Sequence, residues 1–344
     1  MPSEVEPLPP VERVRPGLWS VPVPIPNNPL RYVLVYVFET DRGPYLVDAG
    51  WNTDDCYNTL VAGLAEAGME VADVQGVLVT HIHADHYGLA GRVREASGAW
   101  VALHPADAKL IRGEYDEPEG LMAEMGSMLR RNGAPEEEIE ALKHASMPIR
   151  PWVVSVKPDV LIEDGDKPEV PGWDLRAIWT PGHSPGHLCF YEPGNRLMLA
   201  GDHVLPRITP NISFHPQAGP DPLGDFLNSL DKVAAYETDE VLPAHEHRFF
   251  DLGARVAALH AHHEARFSEV AQSIADGVTT TWGITARMTW SRPWEEIKGF
   301  MRRAAVGETL AHMHYLEKLG VIRERVGEPS EWEMVGPLPP SRYR

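Results

Sequence analysis

The run Gly76-Val-Leu-Val-Thr-His-Ile-His-Ala-Asp-His86 decides how this chain is read. Its first half has the apolar, β-branched make-up of a buried strand, and its second half packs His81, His83, Asp85 and His86 into six residues. Imidazole and carboxylate are the ligands that suit zinc, iron or manganese. A strand that leaves the core and turns sharply can aim His81 and His83 at one metal, with Asp85 and His86 facing a second. Histidines scattered by chance before a surface helix would not reach this density, so the run predicts a metal site at a strand end.

Three further strand ends supply partners. Thr180-Pro-Gly-His-Ser-Pro-Gly-His187 offers His183 on a Gly-Pro turn that lets the backbone approach closely. Ala200-Gly-Asp-His203 offers Asp202, whose carboxylate can bridge two cations, and Leu242-Pro-Ala-His-Glu-His247 offers His245. Four ligand sets at four strand ends describe an open catalytic site on a rigid sheet. The neighbouring His187 and His203 read as donors to ligands or packing residues rather than as ligands. His260, His262 and His263, with His312 and His314, fall on helices far from the motifs and read as exposed or interfacial helix residues.

Around these motifs, short Val-, Leu- and Tyr-rich segments alternate with amphipathic ones. Strands are expected at 17–23, 32–39, 44–48, 76–80, 100–103, 175–179, 187–191, 196–200 and 240–243, and helices at 54–67, 91–97, 105–111 and 225–236. The pattern predicts one α/β layered domain over residues 1–250. No Gly-rich fingerprint follows a strand and no Gly-Lys-Ser/Thr loop occurs, which argues against a doubly wound nucleotide fold. Residues 113–152 break the rhythm with Met122, Met125, Met128 and Met147 and a helix at 136–144; they read as an inserted helical lid. Beyond 250 the strand signal fades into helices at 253–276, 293–304 and 308–319. Two short alternating segments, 321–326 and 331–335, follow across a Gly-Glu-Pro turn, so residues 251–344 read as a small winged-helix-like domain. Trp282, Trp290 and Trp294 would anchor its core, with a homodimer surface as the alternative.

Composition narrows the partners. Acidic residues outnumber basic ones 50 to 31 in 344 residues, for a formal charge of -19, so most of the surface repels phosphate backbones and anionic lipid. The longest purely apolar run, residues 32–38, is far too short to cross a bilayer. Glu4 and Glu6, with no Lys or Arg among the first ten residues, do not build a secretion signal, and a cytoplasmic location is expected. Two cysteines, Cys56 and Cys189, read as small buried hydrophobes.

The motif at 81–86, followed in order by His183, Asp202 and His245, and preceded by Asp48 in Val-Asp-Ala-Gly, resembles the metallo-β-lactamase superfamily over about residues 12–250. The resemblance implies an αββα four-layer sandwich with a dinuclear site at one edge. Carried over residue by residue, it gives His81, His83 and His183 to a first metal and Asp85, His86 and His245 to a second. Asp202 bridges, and Asp48 orients ligands. The last motif reads Pro-Ala-His where the family commonly has Pro-Gly-His, so His245 is chosen over His247 by alignment. The tail is similar to that of a glyoxalase II- and lactonase-like branch with a winged-helix-like C-terminal domain, a branch that also holds RNA-cutting enzymes.

The implied activity is hydrolysis of a small acyl compound, a thioester, lactone or ester. The nucleophile is a hydroxide bridging two divalent metals, zinc first and iron or manganese as alternatives. Asp85 is the catalytic residue, orienting the water and accepting its proton. β-Lactam hydrolysis ranks lower, because Asp202 suits thioesterases and lactonases better. A nuclease working through the tail conflicts with the net charge, although Arg302, Arg303, Arg323 and Arg325 could form a local basic face.

Overall fold

The structure is a computed structural model that describes residues 7–341, so Glu4 and Glu6 lie outside the described residues. A seven-stranded sheet runs in chain order through β1 (Glu12–Arg15), β2 (Leu18–Pro24), β3 (Tyr32–Phe38), β4 (Tyr45–Val47), β5 (Gly76–Leu78), β6 (Trp100–Leu103) and β7 (Val160–Leu161). Its first four strands pair antiparallel and its last three join parallel. Helices α1 (Asp54–Glu66), α2 (Ala84–Tyr87), α3 (Ala90–Ser97) and α4 (Pro105–Ala108) connect them. A second sheet has the order β11-β10-β9-β8, formed by β8 (Arg176–Trp179), β9 (Leu188–Glu192), β10 (Leu197–Gly201) and β11 (Glu240–Pro243).

The layering follows from the two-residue period of β3. Tyr32, Leu34, Tyr36 and Phe38 point to the second sheet, where they meet Ala177, Leu188, Phe190, Leu199 and Leu242. Val33, Val35 and Val37 point the other way, onto Cys56, Leu60 and Leu64 of α1 and Val93 of α3. Both faces are apolar because both are covered, and a slip of one residue would exchange the two sets. On the far side of the second sheet, Ile178, Cys189, Met198 and Val241 pack under Phe226, Leu230 and Val233 of α7 (Pro222–Ala234). Helix, sheet, sheet, helix is the α/β sandwich that the sequence implied.

That outer core continues past residue 250. Val256, Leu259, Phe267 and Ile274 of α8 (Leu252–Ala275) belong to the same cluster as α7. The insert forms α5 (Glu119–Arg131) and α6 (Glu136–Lys143). Their Met125, Leu129, Ile139 and Leu142 close on Val306, with Trp282 and Trp294 alongside. Those partners lie in and beside α9 (Thr281–Arg287) and α10 (Gly299–Lys318), which precede the hairpin β12 (Ile322–Arg325) and β13 (Glu331–Met334). Among the described residues no helix is long and apolar enough to cross a membrane.

Several expectations need correction. The helices expected at 293–304 and 308–319 are one helix, α10, running through Gly307. A Cβ there would lie 1.9 Å from Ser213 Oγ, so the glycine marks a close approach rather than a helix end. The helix expected at 105–111 stops at Ala108, and a wide π-helical turn over Arg112–Asp116 leads into the insert. Of the two readings of the tail histidines, His263 and His312 take the interfacial one and not the exposed one: both are buried, with His263 Nδ1 2.9 Å from His312 Nε2 between α8 and α10.

Candidate metal centre

Each candidate donor sits just beyond a strand. After β5 the chain continues through Val79 and Thr80 to His81 and His83, and α2 then carries Asp85 and His86. His183 follows β8, Asp202 follows β10 and His245 follows β11. Four donors therefore come from the seven-stranded sheet and three from the four-stranded one, and they meet at one edge of the sandwich. Glycine permits the turn at His183: Gly182 has φ +139°, and a Cβ on it would stand 2.5 Å from that of Phe226.

All seven residues converge. The donor atoms of His81, His83 and His183 lie within 4.8 Å of one another, as do those of Asp85, His86 and His245, and those of His81, His86 and Asp202. Asp202 reaches both sides: Oδ2 is 3.5 Å from His183 Nε2, and Oδ1 is 3.2 Å from His245 Nε2 and 3.6 Å from His86 Nε2. His81 Nε2 and His83 Nδ1 stand 2.9 Å apart.

Hydrogen bonds at the opposite ring nitrogens set these directions. His86 Nδ1 donates to Asp48 Oδ2 at 2.8 Å, His183 Nδ1 to the Asn211 carbonyl at 2.9 Å, and His245 Nδ1 to the Tyr32 carbonyl at 2.9 Å. Thr80 Oγ1 lies 3.0 Å from His81 Nδ1 and 3.0 Å from each oxygen of Asp48. Asp48 also accepts the Thr80 N–H at 2.8 Å and holds a left-handed φ of 64°, a strained conformation for a residue with a side chain. The arrangement leaves His86 Nε2, His183 Nε2, His245 Nε2 and Asp202 Oδ1 buried with no hydrogen bond of good geometry, facing one another only across the 3.2–3.6 Å gaps around Asp202. Orphaned buried polar atoms cost about 1–3 kcal/mol each. Four of them facing a common centre, as nitrogen and carboxylate donors, fit divalent metal ions.

The electrostatics divide the site. Burial, then the neighbouring imidazoles, holds His81 well below its ordinary value; the crowding of protein around His83, which is exposed at the rim, and then His183 bring it down to about 3, and burial also lowers His183. These three rings are neutral and present lone pairs at pH 7. On the other side burial opposes charge, but carboxylates overcome it: Asp202 and Asp85 raise His245 to about 10, and Asp48, Asp85 and Asp202 raise His86 well above its usual range. The same contacts lower Asp85, against burial, to about 2. Without metal, His86 and His245 thus carry protons where a cation would otherwise offset Asp85 and Asp202.

Other residues carry the frame. His187 Nδ1 donates to Thr180 Oγ1 at 2.8 Å, and its Nε2 accepts the Asp202 backbone N–H at 3.1 Å, so it supports Asp202 from behind. His203 is buried edge-on against Phe226, and His247 is exposed. Sequence reading missed Asp107. Fully buried, it accepts from Ile82 N–H at 2.9 Å, Ser184 Oγ at 2.8 Å and Gly186 N–H at 2.6 Å, tying the His81–His83 turn to the His183 turn. Burial pushes its carboxyl up to about 6. It also missed Tyr115, whose hydroxyl donates to the Ile82 carbonyl at 2.6 Å and so seats the start of the insert against the metal-bearing turn. The other end of the insert closes nearby, where Val154 N–H donates to the Gly88 carbonyl at 3.1 Å.

Such a sandwich, with clustered histidines and aspartates at its edge, defines a metal-dependent hydrolase. The family model of the metallo-beta-lactamase superfamily matches residues 28–245, and the chain belongs to that superfamily. Among solved structures, a metallo-beta-lactamase family protein from Thermus thermophilus superposes with a TM-score of 0.80 at 33% identity, over 94% of this chain and 100% of that one. A beta-lactamase domain protein from Burkholderia ambifaria gives 0.79 at 26%, over 94% of both chains. In sequence, the probable metallo-hydrolase YqjP of Bacillus subtilis is 26% identical, over 69% of this chain and 72% of its own. The lactamase-like protein adaB of Aspergillus niger is 26% identical over 76% of this chain, which spans 65% of that protein.

Proposed function

We propose that the protein is a dinuclear metal-dependent hydrolase of small acyl compounds, thioesters, lactones or esters. The observation that carries this reading is the pair of donor groups flanking Asp202, with four buried donor atoms left without a hydrogen bond of good geometry between them. His81, His83 and His183 would hold one ion and Asp85, His86 and His245 the other, with Asp202 shared. Divalent ions, zinc first, supply Lewis acidity and an activated water when bound there. The chain's own part is to hold that geometry and manage a proton. Asp85, partly exposed at the rim with Oδ2 3.4 Å from His245 Nε2, is placed to orient a water and take its proton.

The acyl class rests on the motif resemblance, and the insert is its expected specificity lid: Tyr115 ties the insert to the metal-bearing turn, and Met128 with Phe214 gives it an apolar groove, lined by none of the seven donors, that suits a hydrocarbon part. The tail offers a nucleic acid little: Arg302 pairs with Glu138, Arg323 with Glu333, and Arg325 lies 4.0 Å from Glu331. The test is metal analysis of the purified protein, followed by hydrolysis of lactone, thioester, β-lactam and phosphodiester panels. Turnover of acyl substrates with two metal equivalents bound is the expected result; turnover of phosphodiesters alone would overturn the reading.

A further inference from the structure

The loop that orients His183 has no regular structure of its own. Between β10 and α7 the chain runs from Asp202 to Asp221 without helix or strand, yet its Asn211 carbonyl fixes the His183 ring. The C-terminal helices hold this loop. Arg255 of α8 donates to the Leu205 carbonyl at 2.6 Å and the Ile208 carbonyl at 2.7 Å. On α10, the Gly307 carbonyl accepts the Phe214 N–H at 2.9 Å, and the missing Cβ of Gly307 is what admits Ser213. The next residue, Glu308, accepts from Asn211 Nδ2 at 3.1 Å, with Arg266 Nη2 3.9 Å from its other oxygen.

We propose that Glu308 is a positioning residue for the metal centre, acting through Asn211 on His183, so that the C-terminal segment completes the site. Asn211 is held at both ends: its carbonyl meets the ring and its side-chain amide meets Glu308. A carboxylate at the far end stops Asn211 from rotating its carbonyl away from His183 Nδ1. Partners that orient a metal-binding histidine in this way are worth about 10–100-fold in metal affinity. On the other side, the His86 and His245 rings take their orientation from Asp48 and the Tyr32 carbonyl, not from Asn211.

The inference rests on the dinuclear reading, and metal titration by chelator competition, with thermal melting alongside, separates the two. Wild-type protein taking up two zinc equivalents supports the reading before any variant is made; failure to do so overturns both. Against that baseline, Glu308→Ala should weaken one equivalent about 10–100-fold and leave the other unchanged. The weakened equivalent should be the one that His183→Ala loses. Asn211→Ala, which keeps the backbone carbonyl but loses the amide, should match Glu308→Ala, and the double variant should be no weaker than either. Glu308→Gln retains an acceptor and should bind like wild type. Leu310→Ala, two residues along the same helix in the core, should lower the melting temperature with both equivalents intact. Equal weakening of both metals, failure of Glu308→Gln to rescue, or wild-type binding by Glu308→Ala and Asn211→Ala would each overturn the proposal. If Glu308→Ala does not fold, Asn211→Ala decides.

Discussion

Replacing Thr80 by valine changes almost no volume but removes the oxygen beside His81 Nδ1. For His81 and His83 both to present lone pairs to an ion, the His81 proton must sit on Nδ1, where Thr80 Oγ1 receives it at 3.0 Å. With a methyl there instead, the proton moves to Nε2, which faces His83 Nδ1 at 2.9 Å and finds a partner at once. Asp48 keeps the Thr80 N–H and His86 Nδ1, each at 2.8 Å, so its own position is secure. The metal-free fold should therefore lose little. Binding must force the proton back to Nδ1 against a methyl group, leaving a buried N–H unpaired at about 1–3 kcal/mol. Metal affinity should fall by about 10–100-fold, the range for loss of an orienting partner. Chelator competition measures the loss, and Thr80→Ser, which keeps the hydroxyl, should restore affinity. Wild-type affinity in Thr80→Val would refute the claim that this hydroxyl sets the tautomer.

Three further outcomes are expected. His245→Ala should lose metal and activity while His247→Ala, at an exposed position, does neither; equal losses in a metal assay would shift the last ligand to His247. In metal-free protein, His245 is raised to about 10 from an unfolded value of 6.5. Its charged form thus stabilises fully below pH 6.5, and that stability drains away as pH rises toward 10. Melting of the chelated protein should fall across that window while metal affinity rises, because binding expels those protons; a chelated melting curve flat with pH would contradict it. Asp107→Ala leaves the Ile82 and Gly186 N–H groups buried and unpaired, for a loss of about 2–5 kcal/mol in urea unfolding, and a loss below about 1 kcal/mol would mean that water replaces the carboxylate.

The candidate donors that the fold brings together were legible because each belongs to a local run with its own strand, and because histidine and aspartate keep their chemistry wherever the fold puts them. The sandwich was legible for a similar reason: Tyr32–Phe38 alternates between two large apolar sets, which only a strand covered on both faces requires. The supporting frame was not. Tyr32 and Asn211 act through backbone carbonyls, which every residue owns, so their side chains give no signal. Asp107 looks like an ordinary acid in the first turn of a helix, and its partners stand as far as 79 positions away. The break expected between 304 and 308 was wrong for a physical reason: the helix runs on through Gly307, whose missing Cβ makes room for Ser213 of another segment, a contact no local pattern announces.

The division of the donor set between two sheets bears on mechanical integrity. On the proposed ligand assignment, an ion held by His81, His83 and His183 would fasten one sheet to the other at a single edge, closing a loop of about 100 residues. In chain-entropy terms a covalent cross-link over that span would restrict the unfolded chain by about 4–5 kcal/mol. The two cysteines, Cys56 and Cys189, are both free and buried, so none of this comes from disulfides. The bound ions would then serve as clasps as well as reagents. Stripping them should loosen the sandwich at that edge first, where a protease would find its earliest cut.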